Sequence, residues 1–149
     1  MLNTTTISKP TSQPKVLVVE DNPTNLLLAR RILEKGGYGV VSAINGQEGV
    51  EAVKQQVFDV ILMDVQMPVL NGFEAANGIR CLQGWPSRVP IIALTASVMT
   101  EEKQQCFEAG MDDFIGKPFK VTELIEKCQY WMNRRPAASQ YVDASGRVM

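Results

Sequence analysis

The sequence predicts an α/β fold in which helices cover both faces of a parallel sheet, and three observations lead to this prediction. Five short β-rich runs alternate with five helical patterns, and each parallel connection needs a helix to return the chain to the start of the next strand. Three of these runs are almost purely apolar, as expected of strands that are covered on both faces. The length of 149 residues, with 45% hydrophobic content, is enough for one domain and short for two.

The predicted strands are short runs rich in Val, Ile and Leu, bounded by polar residues or glycine. They cover residues 15–20, 38–43, 58–64, 89–96 and 112–117. The fifth run, DDFIGK, is the weakest of them. All five are expected to lie in one sheet.

The predicted helices cover residues 24–37, 45–56, about 72–80, 100–110 and 120–134. Asn22 or Thr24 is expected to cap the first helix, and Gly110 to close the fourth. Apolar residues from Val121 to Met132 follow the i, i+3, i+4, i+7 rhythm, so one face of the last helix is expected to dock on the sheet. The result is a three-layer sandwich whose size suits a flavodoxin-like strand order of 2-1-3-4-5, although the sequence alone leaves that order open.

The two ends of the chain differ from its centre in composition. Residues 1–14 are rich in Thr, Ser and Pro, and residues 134–149 show no sustained apolar period. Segments of this kind are typically flexible. We therefore predict two flexible tails and one domain spanning residues 15–133.

The charge of the chain is nearly balanced, with 15 Lys and Arg residues against 16 Asp and Glu residues. Without a net positive field, neither nucleic acid nor an anionic membrane surface is an expected partner.

No apolar run approaches the roughly 18 residues of a membrane span, and the N-terminal residues lack the apolar segment of a signal peptide. The three cysteines are far apart, which fits neither a zinc motif nor a disulfide framework. These observations predict a soluble, cytoplasmic protein.

The chain contains no histidine. Catalytic triads built on Ser-His or Cys-His, acid-base chemistry on imidazole and the commonest zinc sites are therefore excluded. Chemistry in this chain must depend on carboxylates, hydroxyls and lysine, with a hard metal ion as an open alternative to add to them.

Polar side chains collect where the predicted strands end, which is where open parallel sheets bind ligands. These strand-end residues are Glu20, Asp21, Asp64, Thr95 and Lys117. Three adjacent carboxylates repel one another unless a cation lies between them, and Mg²⁺ prefers oxygen ligands. Asp64, at the end of the central strand, is the expected nucleophile. The ammonium and hydroxyl groups would stabilise the oxygens of a transferred phosphoryl group.

Structural explanations of the same residues remain open when each is considered alone. Asp64 fits a cap of the turn DVQMP, and Asp21 fits an Asx turn at DNPT. Thr95 fits a capping hydroxyl, and Lys117 fits a solvated lysine before a proline. Asn71-Gly72 is interpreted as a turn without chemistry. Because Asp64, Asp21, Thr95 and Lys117 all stand at the ends of predicted strands, the functional explanation is favoured for these four residues.

Four motifs, VLVVEDNPTN, ILMDVQMPVLNGFEA, PIIALTA and DDFIGKPF, occur in this order along the chain. Together they resemble the receiver domain of two-component response regulators, and especially the receivers of hybrid histidine kinases. The resemblance spans roughly residues 15–133. It implies a phosphorylation switch whose partner is a histidine kinase or a histidine phosphotransfer protein. Because this chain has no histidine, it would be the acceptor and never the phosphohistidine donor.

The resemblance also implies a set of ligands for the phosphoryl group and for Mg²⁺. Asp64 would be the phosphoacceptor. Asp21 would bind Mg²⁺ directly and Glu20 through water, with the backbone carbonyl of Gln66 as a further ligand beside Asp64. Lys117 would pair with the phosphoryl group.

The switch itself is implied by position in the same way. Thr95 would move its hydroxyl toward the phosphoryl group, and Phe114 stands at an aromatic position that moves with it. The Lys117-Pro118 peptide bond would be cis. The face formed by the fourth helix, fifth strand and fifth helix would change on phosphorylation, and we expect it to be the surface of any homodimer.

Other functions of the same fold remain as alternatives. A phosphatase with an aspartyl nucleophile needs a second carboxylate two residues later, where this chain has Gln66. A flavin or dinucleotide binder needs a glycine-rich turn after the first strand, where EDNPTN places acids that repel phosphate. An interaction module that works without phosphorylation would have no use for the full set of strand-end residues.

Overall fold

The computed structural model describes residues 13–67, 69–97 and 99–134. Five parallel strands form one sheet in the order β2-β1-β3-β4-β5, which confirms the predicted order. The strands are β1 Lys15–Val19, β2 Gly39–Ala43, β3 Val60–Asp64, β4 Ile91–Thr95 and β5 Asp113–Gly116.

Five α-helices connect or follow the strands. They are α1 Pro23–Lys35, α2 Gly46–Gln55, α3 Gly72–Arg80, α4 Thr100–Glu108 and α5 Val121–Met132, and a short 3₁₀ turn at Trp85–Ser87 precedes β4. Asn22 caps α1, because its side chain accepts hydrogen bonds from the backbone N–H groups of Thr24 and Asn25. In the described part of the chain, none of the helices combines the length and the apolar content that a membrane span requires.

Two hydrophobic cores lie on opposite faces of the sheet, which confirms the three-layer architecture. One core lies under α2, α3 and α4, and the other lies under α1 and α5. Successive residues of β3 alternate between them: Ile61 and Met63 belong to the first core, and Val60 and Leu62 to the second. Because both faces of the central strands are covered, these strands need apolar side chains at every position.

Most predicted elements extend one or two residues beyond the observed ones. The predicted fourth strand included Val89, but Val89 donates its backbone N–H to Trp85 O in the preceding turn and is buried without pairing in the sheet. Gly110 follows α4 with a φ of 96°, yet the helix already ends at Glu108. Apolar residues stay buried beyond the residues that pair in the sheet, so an apolar pattern overestimates the length of a strand. Of the predicted tails, residues 1–12 and 135–149 lie outside the described residues.

The sheet register brings the strand-end residues to one edge. Val19 of β1 pairs with Met63 of β3, so Glu20 follows on β1 where Asp64 follows on β3. Thr95 of β4 pairs with Gly116 of β5, and Lys117 comes next. The order of the strands reverses between β1 and β3, and this switch point is where parallel sheets form a crevice.

Candidate functional site

Three carboxyl groups lie together at the edge of the sheet where β1 and β3 end. Oxygen atoms of Glu20, Asp21 and Asp64 all lie within 4.8 Å of one another. Glu20 is fully buried and Asp64 is 3% exposed, whereas Asp21 is exposed. A cavity of about 400 Å³ opens onto them. Two buried acids and one exposed acid form an oxygen-rich cluster with access from solvent, and such a cluster fits a hard divalent cation.

Lys117 supplies a positive charge to this cluster from the end of β5. Its Nζ lies 2.9 Å from Glu20 Oε1 and 3.3 Å from Asp64 Oδ1. The peptide bond between Lys117 and Pro118 is cis. Despite the short ion-pair contact, Glu20 Oε1 has no hydrogen bond of regular geometry, while Glu20 Oε2 accepts one from the Asn22 N–H at 3.1 Å. One buried carboxylate oxygen is therefore incompletely satisfied by protein groups and is suited to a cation or its water.

The protonation of the site reflects this crowding. Burial, together with the adjacent Glu20 carboxyl, raises the pKa of Asp64 to about 7. Burial opposes the charged form of Lys117, but the carboxylates of Glu20 and Asp64 outweigh it and raise the pKa of the ammonium group. The ammonium group of Lys117 is thus shared between the carboxyl groups of Glu20 and Asp64. A bound cation would favour the carboxylate form of Asp64.

The loop after β3 holds the Asp64 side chain and brings α3 close to it. The Gln66 N–H donates to Asp64 Oδ1 at 3.1 Å. Asn71 and Glu74 form a capping box at the start of α3. A Cβ atom on Gly72 would lie 2.2 Å from the Asp64 carbonyl oxygen, so only glycine permits this approach. The Asn-Gly pair, interpreted from sequence as a turn, is thus a helix cap and a backbone contact with the central acid.

The Thr95 hydroxyl is directed away from the carboxylates. Thr95 is buried at the end of β4 and does not line the cavity, whereas its neighbour Ala96 does. Its Oγ1 accepts from the Ser97 N–H at 3.1 Å and lies 2.6 Å from Ser97 O. The hydroxyl also donates to Glu102 Oε1 on α4. The structure therefore brings four of the five strand-end residues together and pairs the fifth with α4.

Phe114 lies on β5 between two cations. Lys103 Nζ of α4 is 4.7 Å from the ring centroid, and Lys127 Nζ of α5 is 4.8 Å from it. Both distances are typical of cation–π contacts. The ring also packs edge-on against Phe107, with centroids 6.5 Å apart. The aromatic side chain is thus held by both flanking helices.

Comparison with known proteins identifies the family. The model of the response regulator receiver domain matches residues 16–129, which is most of the chain. This chain belongs to the receiver domain family. The predicted resemblance is therefore confirmed, and the matched residues fall within the predicted domain 15–133, whose own bounds stay predictions.

Relatives of this receiver with curated descriptions include sensor proteins and hybrid signal transduction proteins. It is 41% identical over 136 residues to the sensor protein GacS of Pseudomonas syringae pv. syringae, with 88% of this chain and 15% of GacS covered. It is 40% identical to the hybrid signal transduction protein dokA of Dictyostelium discoideum, with 81% of this chain and 7% of dokA covered. The receiver thus spans a small part of these relatives.

Solved receiver structures share the fold at substantial identity. The receiver domain of the Pseudomonas aeruginosa sensor histidine kinase PA1611, determined with magnesium in its active-site cleft, matches with a TM-score of 0.77 and 39% identity, covering 82% of this chain and 99% of that one. The Ssk1 receiver of Saccharomyces cerevisiae, crystallised with the histidine phosphotransfer protein Ypd1, matches with a TM-score of 0.75 and 33% identity, covering 81% and 90%.

Two residues of this receiver's site region were missed by reasoning from sequence. Glu102 contacts the Thr95 hydroxyl, and Lys103 contacts the Phe114 ring. Both belong to TEEKQQCFE, a run of charged and polar residues that is typical of a solvated helix face. The sequence could have indicated these two residues only if the face of α4 that packs against β4 and β5 had been known.

Proposed function

We propose that this receiver is a phosphoacceptor, in which Asp64 takes a phosphoryl group from a phosphohistidine on a partner protein. The proposal depends chiefly on one observation: Asp64 is 3% exposed at the end of β3, beside Glu20 and 3.3 Å from Lys117 Nζ. An Asp64 oxygen would attack phosphorus as the bond from phosphorus to the imidazole nitrogen breaks. The electron pair of that bond stays on the imidazole, which takes up a proton, and the product is an acyl phosphate.

We propose Mg²⁺ as the metal ion of the site. Its ligands would be Asp21 and Asp64 directly, Glu20 through water, and the backbone carbonyl of Gln66. The incompletely bonded Glu20 oxygen and the mutual distances of the three carboxyl groups support the carboxyl ligands, and Gln66 lines the same cavity. When bound, the ion supplies positive charge for the transferring phosphoryl oxygens. Lys117, with its ammonium already in the cluster, would bind one of those oxygens.

The partners follow from the chemistry and from the relatives. A chain without histidine needs a phosphohistidine donor elsewhere, so we propose a histidine kinase or a histidine phosphotransfer protein. The similarity to sensor kinases and to a receiver crystallised with a phosphotransfer protein supports this choice. We also propose a cytoplasmic location, because the three cysteines form no disulfide. A homodimer through α4, β5 and α5 stays a prediction.

The response to phosphorylation would be a shift between two conformations. Thr95 would turn toward the phosphoryl group and Phe114 would follow. Both residues touch α4, so the face of α4, β5 and α5 is the part of the surface expected to change. This domain would promote its own phosphorylation and dephosphorylation.

The test is phosphorylation by a small-molecule donor. The protein is incubated with Mg²⁺ and acetyl phosphate, and its mass is measured with and without chelator. We expect one phosphoryl group on the wild type, none on Asp64→Asn, and one on Asp59→Asn, a control acid at the opposite end of β3. An adduct on Asp64→Asn, or none on the wild type with either acetyl phosphate or beryllofluoride, would overturn the assignment.

A phosphatase with an aspartyl nucleophile is the main rival and is disfavoured by Gln66. This residue stands two positions after the nucleophile, and its backbone N–H, rather than a carboxylate, contacts Asp64. A generic phosphomonoester should therefore not be turned over. Multiple turnovers that disappear in Asp64→Asn would favour the phosphatase.

A further inference from the structure

The Thr95 hydroxyl has one hydrogen to donate, and α4 competes for it. Its oxygen accepts from the Ser97 N–H at 3.1 Å, while the hydrogen is directed to Glu102 Oε1 or to Ser97 O. A hydroxyl cannot donate to two acceptors at full strength. A carboxylate is the stronger acceptor, because charge-assisted hydrogen bonds are about twice as strong as neutral ones. As long as the Thr95 hydroxyl donates to Glu102, it is therefore unavailable to a phosphoryl group on Asp64.

The same turn of α4 contacts the aromatic residue of the switch. Lys103, which follows Glu102, places its Nζ 4.7 Å from the centre of the Phe114 ring. Adjacent residues of one helix thus contact both side chains that are expected to move. Release of one contact by a rotation or displacement of α4 would alter the other.

Helix α4 is itself weakly anchored, which suits it to such a movement. Its N-cap residue, Met99, makes no side-chain cap hydrogen bond, and Cys106 is its one buried residue. Elements with few buried contacts open or shift at the lowest free energy. The hydrogen bond from Thr95 to Glu102 is therefore a notable link between this helix and the sheet.

We propose that Glu102 is a positioning residue that holds the Thr95 hydroxyl toward α4 and away from Asp64 until phosphorylation withdraws it. This inference rests on the proposed phosphoacceptor function. A phosphoryl oxygen on Asp64 and the Glu102 carboxylate are competing acceptors for one hydroxyl hydrogen. Glu102 thereby adds to the free energy that phosphorylation must supply to turn the Thr95 hydroxyl toward Asp64. Its neighbour Lys103 transmits the resulting movement of α4 to Phe114.

The first test measures the binding of beryllofluoride, a phosphoryl mimic, in the presence of Mg²⁺. Glu102→Gln replaces a charged acceptor by a neutral one of the same shape, so we expect binding about fivefold tighter than in the wild type. Glu101→Gln is the matched control: Glu101 is exposed on the same helix turn, and its side chain makes no hydrogen bond or ion pair within the described residues. It should bind as the wild type does. Unchanged or weaker binding by Glu102→Gln would overturn the proposal.

A double-mutant cycle separates positioning from a general effect of charge. In the Thr95→Ala background there is no hydroxyl to hold, so Glu102→Gln should leave beryllofluoride affinity unchanged. The same tightening in both backgrounds would show that Glu102 acts through its charge alone and would overturn the proposed role.

A measurement without metal or phosphoryl mimic distinguishes failure of this inference from failure of the proposed function. The NMR signal of the Thr95 methyl group should shift in Glu102→Gln and stay in place in Glu101→Gln. An unmoved signal would contradict the contact itself. Absence of any adduct on Asp64, with the methyl signal moved as expected, would instead contradict the phosphoacceptor function.

Discussion

The ammonium nitrogen of Lys117 lies 2.9 Å from Oε1 of the fully buried Glu20. This ion pair joins the end of β5 to the end of β1 across two intervening strands. Both partners are largely withdrawn from water, Lys117 with 18% of its side chain exposed. The pair is therefore sensitive to the loss of either charge.

Loss of Lys117 should destabilise the metal-free protein. Lys117→Met leaves Glu20 buried without its cation, and we expect the free energy of unfolding to fall by about 2 kcal/mol, less than for a fully buried pair because Lys117 is partly exposed. Urea unfolding followed by circular dichroism measures this. The control, Lys54→Met, removes a solvent-exposed pair with Glu51 and should change stability by less than about 0.5 kcal/mol. Equal effects of the two substitutions would contradict the importance of the buried pair.

Loss of one carboxyl group should weaken the binding of Mg²⁺. Asp21 is exposed, so Asp21→Asn should fold normally while removing one charged ligand. We expect the dissociation constant, measured by calorimetry, to rise at least about tenfold. Asp59→Asn should leave it unchanged. An unaltered constant in Asp21→Asn would exclude this residue from the metal site.

A methyl group on Gly72 should be poorly tolerated. The added Cβ would lie 2.2 Å from the Asp64 carbonyl oxygen and 2.7 Å from Val65 Cα, and these backbone atoms cannot rotate away. We expect Gly72→Ala to cost about 3 kcal/mol in thermal or urea unfolding.

Gly78, in the same helix, provides the control for that substitution. Its Cβ would meet only Val50 Cγ2, at an ordinary 3.7 Å. Gly78→Ala should therefore stabilise the protein by up to about 1 kcal/mol, because alanine has the higher helix propensity. Similar losses at both glycines would mean that the close approach of α3 to Asp64 does not matter.

Alkaline pH should destabilise the protein through its buried thiols. Burial raises the pKa of Cys128 to about 12, above its ordinary value of 9.0. Between these values the unfolded chain loses the thiol proton while the folded chain keeps it, so stability falls as pH rises above about 9. The slope for one thiol approaches about 1.4 kcal/mol per pH unit.

Substitution of that thiol should reduce the alkaline loss. Cys128→Ala should be less stable at pH 7 because of the cavity, yet should lose less stability than the wild type between pH 9 and 11, as measured by urea unfolding at each pH. Cys81→Ala, at an exposed position, should follow the wild-type slope. A wild-type slope in Cys128→Ala would contradict a protonated buried thiol.

The sequence by itself determined the fold class and most of the residues of the site, whereas the order of the strands was established by the structure. Apolar runs mark strands covered on both faces, and a charge that ends such a run marks where the strand leaves the core. Glu20, Asp64 and Lys117 were predictable for this reason, because parallel strands present their ends at one edge of a sheet. Element ends were less predictable, since Val89 is buried outside the ladder.

Only the tertiary structure decided the contacts that depend on the distance between elements. The position of α4 over β4 and β5 directs the Thr95 hydroxyl to Glu102 and the Phe114 ring to Lys103. The approach of α3 to β3 gives Gly72 its role against Asp64. A local pattern specifies which side chains leave the core, but a hydrogen bond forms or fails within a few tenths of an ångström, and that precision arises only when the packed helices fix the separation of the two groups.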